Sequence, residues 1–239
     1  MSPSGGGAFA LPDDALQALF QLTSGSFPTG AFSHSYGLET FVQEGLVHDV
    51  PTFGDWLAAH LTHAAAPTDG AAVALVNRAV TTGDWDAVAR IDALLTALKL
   101  APEIRAASLT TGRAALRAAR DVFPAPPVES YAALLDERHA RGNLAAVFGC
   151  VTASLKIAPS ASVLAFLWGA ASSLTGVATR LVPLGAVAAQ RRLRELSACV
   201  RDAATAADSL GEHELHASTV AQDIAALRHA RLYSRLCIS

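Results

Sequence analysis

Charge is scarce in this chain. Asp, Glu, Lys and Arg make up 16% of its 239 residues, against about 25% in an average globular domain. Hydrophobic residues make up 51%, so the chain can bury a sizeable core and is too apolar to be disordered. A net charge of -3 gives no general attraction to nucleic acid. Two basic rows, Arg113, Arg117 and Arg120, then Arg191, Arg192 and Arg194, have the helical spacing of a solvated face. Cysteine is also sparse. Cys150, Cys199 and Cys237 stand far apart, with no CxxC or zinc-type spacing, which fits reduced thiols in a cytoplasmic protein.

Other absences narrow the class further. The beginning, MSPSGGGAFALPDD, has no basic region and no long apolar stretch, which argues against a signal peptide. No GxxxxGK[ST] loop and no GxGxxG after a strand marks a nucleotide site. No GxSxG elbow marks a hydrolase. Strand-like alternation and fixed-period repeats are missing. One uncharged run, Ile157 to Thr179, is long enough to span a membrane. It holds Pro159, Gly169 and Gly176, and no second span or aromatic belt accompanies it, so it reads as a buried helix.

Helical periodicity fills the chain. Pro12, Asp13 and Asp14 open a first helix. A second is expected from Gly30 to about Glu44, a third from Pro51 to Ala65, and a fourth from Pro67 to near Gly83. A fifth follows Asp84, and a sixth carries the arginine row from Pro102 to about Asp121. The three prolines of FPAPPVES make a turn. Ser130 to Arg141, Asn143 to Ile157 and Ser160 to Thr179 read as helices, as does the long periodic segment Leu184 to Ala207. SLGEHELH reads as a loop, and Ser218 to Ala230 as a last helix. The expectation is an all-α fold, a single-domain bundle of about ten helices over residues 13–239. Residues 1–12 form a flexible lead-in and 229–239 a docking tail.

The least helix-like stretch is TSGSFPTGAFSHSYGLE, residues 23–39. It has no Lys, Arg or Asp and seven Ser, Thr or His side chains. Gly25 and Pro28 turn the chain there. If the second helix begins at Gly30, then Gly30, Ser33 and Gly37 form a small-residue stripe along it, and Phe32 and Tyr36 share a face. A hydrolase using Ser33, His34 and Glu39 is the enzymatic alternative, but neighbouring side chains on a helix diverge. Glu39 follows an uncharged helix, and a buried carboxylate needs a partner such as an arginine or helix amides. Arg180, at the end of the apolar run, needs carboxylates or carbonyls, or lies at an interface. His60 with His63, and His213 with His216, stand three apart. They read as surface pairs, with a transient metal contact as the sharper alternative; HExH is not the zinc-binding HExxH. The tail HARLYSRLCIS, with Tyr233, Arg235 and Leu236, has something to dock onto, either its own bundle or a partner.

Three stretches together resemble the UreF family of urease accessory proteins. In LFQLTSGSFPTGAFSHSYGLETFVQEGLV, Gly30, Phe32, Ser35, Gly37, Leu38 and Glu39 match the family's signature. In TGVATRLVPLGAVAAQRRL, Ala178, Arg180, Leu181, Pro183, Leu184, Gly185 and Gln190 match. In DIAALRHARLYSRLCIS, Asp223, His229, Tyr233, Arg235, Leu236 and Ser239 match, while Cys237 stands where Phe is usual. The resemblance implies an all-α, non-catalytic urease assembly factor in the cytoplasm, commonly a dimer. It implies a bridge between a UreD or UreH-type protein and the GTPase UreG, in a complex that loads nickel into apo-urease. It also implies influence on GTP hydrolysis and nickel in transit, with no tightly bound cofactor and no membrane or nucleic acid as partner. The candidate partner-binding residues are Phe32, Tyr36, Glu39, Arg180, His229, Tyr233, Arg235 and Leu236; no catalytic or metal residue is assigned.

Overall fold

The computed structural model describes residues 11–239, so nearly all of the expected lead-in, residues 1–12, lies outside the described residues. Among the described residues there are twelve α-helical segments and no strand. They are α1 Asp13–Thr23, α2 Leu38–Gln43, α3 Val50–His60, α4 Ala71–Thr82, α5 Trp85–Leu98, α6 Pro102–Val122, α7 Pro126–Asp136, α8 Leu144–Ser154, α9 Pro159–Leu181, α10 Ala186–Glu195, α11 Ser197–Ser209 and α12 Val220–His229. Local chemistry sets several starts. Asp49 and Thr52 form a reciprocal capping box at α3, and the Asp84 carboxylate accepts the Ala87 N–H at 2.9 Å to open α5. Pro102, Pro126 and Pro159 head α6, α7 and α9, where a missing N–H costs nothing.

The expected break at Pro67 does not occur. α3 runs through a π-helical segment, Leu61–Gly70, straight into α4, with Pro67 inside. Proline has no N–H and its ring crowds the preceding turn of an α-helix. The wider π turns accommodate it. The loop before α12 also bonds to this segment: the His216 N–H donates to Pro67 C=O at 3.2 Å, and the Ser218 N–H to His63 C=O at 3.1 Å.

Three further expectations are corrected. FPAPPVES is not all turn: its last two prolines open α7, which starts at Pro126 and ends at Asp136 in place of Ser130 to Arg141. No helix runs from Gly30 to Glu44; a short 3-10 turn, Ala31–Ser33, precedes α2. Leu184 to Ala207 is not one helix either, because α10 and α11 bend apart at Leu196.

α8 lies at the centre of one contiguous core, packed against α4, α6, α7 and α9, with Ala145 to Thr152 all buried. Its close approach to α4 depends on Gly149, since a Cβ there would stand 2.7 Å from the Val73 carbonyl oxygen. A buried polar seam crosses this core, where the Asn77 side-chain amide donates to Thr152 Oγ1 and to the Ile157 carbonyl, both at 3.1 Å. By length and composition α9 could cross a membrane, and half of its most apolar window is buried within the fold. It packs against α1, α4, α10 and α11.

Candidate functional site at the docked tail

Residues 23–39 and 230–239 meet. After α1 ends at Thr23 the chain turns, and Tyr36 and Gly37 adopt left-handed backbone, at φ 53° and 87°. Such a conformation strains a residue with a side chain, at a cost of order 1–3 kcal/mol, and persists only where packing holds it. The Tyr36 ring packs beside His60, 5.8 Å between centroids. Gly37 needs its bareness. A Cβ there would come within 3.2 Å of the α12 backbone at Ala226 N and Gln222 O. The small-residue stripe imagined on a helix is thus a different device: a left-handed turn that lets α2 and α12 touch. For the same reason Phe32 and Tyr36 do not share a helix face; Phe32 is exposed, and Tyr36 is half-buried.

Glu39, in the first turn of α2, faces the tail and is 2% exposed. Its Oε1 accepts the Leu236 N–H at 2.7 Å and its Oε2 the Cys237 N–H at 2.9 Å. Oε2 also lies 3.0 Å from His229 Nε2. His229, the last residue of α12, is 0% exposed. Its Nδ1 lies 2.7 Å from Glu103 Oε2, and Glu103 Oε1 accepts from Arg235 at 3.0 Å. Burial pushes the Glu39 carboxyl up, but the tail amides and His229 outweigh it and hold the group below its ordinary value. Its partners are therefore an imidazole and two tail amides, rather than the expected arginine or helix amides.

Main-chain bonds complete the dock. The Ser35 N–H donates to the Ser239 oxygen at 2.5 Å, and the Ile238 N–H to the Ser33 carbonyl at 2.8 Å. Gln43 Nε2 donates to the Ser234 carbonyl at 2.8 Å, and Thr40 Oγ1 to the Ala225 carbonyl at 2.9 Å. Arg180, exposed at the end of α9, donates to the Phe32 carbonyl at 2.5 Å. The tail seals Cys237 beneath it, and burial with the nearby Glu39 charge pushes that thiol up to about 11.

The outer side of this assembly exposes apolar side chains among Arg228, Arg231 and Arg235. Val220, Ile224 and Leu227 stand exposed at i, i+4 and i+7 on α12, and Tyr233, Leu236 and Ile238 are exposed along the tail. Two cavities adjoin residues 23–39. One, of about 490 Å³, is lined by Phe32, Phe148, Phe166, Ser172 and Arg180. The other, of about 110 Å³, is lined by His60, Asp69, Lys99 and Gln222. Tyr36, Leu144, Phe166 and Leu174 line both. Within the smaller one Lys99 Nζ reaches both Asp69 oxygens, at 2.7 and 2.9 Å, and His60 Nδ1 lies 3.0 Å from Gln222 Oε1. Burial lowers the His60 imidazole below its ordinary value.

The structure does not assemble the hydrolase alternative. His34 Nδ1 lies 2.8 Å from Ser239 Oγ, and Glu39 is engaged by the tail and His229. The histidine pairs do not converge as ligands: His60 is buried against Gln222, whereas His63, His213 and His216 are exposed. Among the described residues no group of three His, Cys, Asp or Glu side chains is placed to hold a metal ion. Sequence reasoning missed Glu103, Gln43 and the Ser35–Ser239 contact. Glu103 sits in the acidic first turn of α6, which reads as ordinary helix chemistry. Only the tertiary fold brings it to His229.

These three converging stretches are the ones that carry the family resemblance. The profile of the UreF family matches residues 47–197. The chain is 37% identical over 222 residues to the urease accessory protein UreF of Arthrobacter sp. (strain FB24), covering 93% of this chain and 96% of that protein. It is 32% identical over 224 residues to the protein of the same name from Bacillus sp. (strain TB-90), covering 94% and 99%. With the counterpart from Lachnoclostridium phytofermentans it shares 30% identity over 227 residues, covering 95% and 100%. An all-α bundle with a docked tail, matched at this level along nearly its whole length, defines the class. The chain belongs to the UreF family.

Proposed function

We propose that this protein is a urease maturation factor that works through protein contacts and has no catalysis of its own. It bridges a UreD or UreH-type accessory protein and the GTPase UreG, forms a homodimer in the cytoplasm, and serves nickel insertion into apo-urease. One observation carries the reading: the three family-like stretches converge on a tail and receptor whose outer side exposes apolar side chains that no described residue covers. Apolar surface of this kind marks a protein interface. The names of the relatives supply the urease context. The engagement of His34 with Ser239 and of Glu39 with the tail amides supports a non-catalytic role. The adjoining cavities sharing Tyr36 suit the passage of nickel as cargo, because a conduit must release its ion as well as admit it. The same contacts give the complex a means to modulate GTP hydrolysis by UreG.

Tyr233 and Leu236 project away from the dock. Replacing both by Asp is expected to abolish co-purification with the UreD or UreH-type protein on co-expression, and with it urease activation, while helical circular dichroism is retained. Complex formation at wild-type yield would overturn this reading.

A further inference from the structure

We propose that the larger cavity, between the end of α1, α8 and α9, binds a small carboxylic acid with an apolar body, and that Arg180 holds the carboxylate. Its volume of about 490 Å³ lies within the range of small-molecule sites, about 300–1,000 Å³. Its walls select the body of the ligand. Phe148 and Phe166 meet edge to face, 5.3 Å between centroids, and Leu174 and Val177 continue this apolar wall along α9. A wall of this kind takes up an aromatic group, which adds ring contacts to the burial of its area. Gly176 keeps one side of the cavity open, since a Cβ there would meet nothing within 4 Å.

The polar groups select the head. Among the described residues no Asp or Glu lines this cavity, and Arg180 is its one charged side chain. Arg180 pairs with no described carboxylate; its bond to the Phe32 carbonyl uses one Nη2 proton and leaves the rest of its fork of donors free. A planar guanidinium of this kind matches a carboxylate in two parallel bonds. Hydroxyls stand beside it. Thr175 and Thr179 turn theirs back onto α9, to the Ala171 and Gly176 carbonyls at 2.8 and 2.9 Å. Those of Ser172, Ser173 and Tyr36 line the cavity and bond to no described residue. Every polar side chain of the lining can therefore donate, and none is an anion. One guanidinium with neutral hydroxyls balances one negative charge. A polyphosphate would bring surplus charge into an apolar space.

The smaller cavity lacks this chemistry. Its volume of about 110 Å³ is below the small-molecule range, its cation Lys99 is already held by Asp69, and Asp223 adds a second acid to its lining. A bound acid therefore belongs to the larger cavity alone. If the chain also serves nickel transit, on which this clause alone rests, a bound acid closes the larger of the two adjoining cavities and its departure opens that route.

The test uses the full chain alone and no urease component, so its failure leaves the maturation reading untouched. Two probes share a body and differ in the head: biphenyl-4-carboxylate and biphenyl-4-methanol. By titration calorimetry the wild type is expected to bind the acid about tenfold more tightly than the alcohol, or better, because hydrogen bonds to a charged group are the stronger ones. Arg180→Gln is expected to level the two affinities. Gly176→Leu fills open space and removes a helix-weakening glycine; it is expected to weaken acid and alcohol alike by about tenfold. Equal affinities in the wild type, a preference that survives Arg180→Gln, wild-type binding by Gly176→Leu, or an acid affinity weaker than about 1 mM overturns the proposal. Should Arg180→Gln lose its helical circular dichroism, ring signals of labelled phenylalanine in the wild type decide. Shifts at Phe148 and Phe166 on adding the acid sustain the site; shifts confined to Phe20, exposed on α1, show adsorption to the surface and overturn it.

Discussion

At the scale of single residues, Glu39 shows how far local sequence carries. A carboxylate after an uncharged stretch announces a buried acid needing partners, but its partners lie almost two hundred positions away. Periodicity reports which face of an element is apolar and says nothing of which distant donors will meet there. Tyr36 and Gly37 were harder still, because left-handed backbone at a tyrosine is imposed by tertiary packing. The pH behaviour of Glu39 follows from its direction of shift. Its folded value is lowered, so its contribution to stability is present above the ordinary carboxylate value of about 4.3 and is lost as pH falls through the folded value. Urea unfolding followed below about pH 4 is expected to show this loss in the wild type. Glu39→Gln is expected to be less stable near neutrality, by about 3 kcal/mol, with a shallower fall in acid.

At the scale of elements, most helices were legible because caps, prolines and apolar spacing agreed. The exceptions share a cause. Pro67 signals a break in an isolated helix, yet the π turns tolerate it, and the loop before α12 bonds to two carbonyls of that segment. The supposed helix from Gly30 failed because the tail competes for the same backbone: Ser33 and Ser35 bond to Ile238 and Ser239 rather than within a helix. Asp92 on α5 organises another such junction. It accepts from the Tyr131 hydroxyl at 3.0 Å, from the Gly142 and Asn143 N–H groups at 2.8 and 3.0 Å, and from Asn143 Nδ2 at 2.7 Å. This ties α5 and α7 to the turn that opens α8. Asp92→Asn turns an amide N–H₂ toward donors and is expected to cost about 3 kcal/mol. A lowered urea midpoint with unchanged slope would register it.

At the scale of the whole molecule, the all-α architecture and the absence of a familiar catalytic motif were readable from composition and pattern. The inward or outward direction of the candidate residues was not. Glu39 and His229 build the dock, while Phe32, Tyr233 and Leu236 look away from it. Ile224 and Leu227 share that outward side, so replacing each by Asp is expected to change stability by no more than about 0.5 kcal/mol. Association with a partner, measured by calorimetry, is expected to weaken at least tenfold; a large drop in melting temperature instead would place this face inside the fold. The two hydrogen bonds that tie residues 216 and 218 to the π segment carry a consequence for reach. They moor the root of α12, so a released tail is a tethered strand of ten residues, extending no more than about 35 Å from that helix. Its return is intramolecular, at an effective concentration in the millimolar range for a short flexible chain. A competitor for the receptor must outbid that local excess, whereas a protein that covers the apolar outer side leaves the tail in place and meets no such competition.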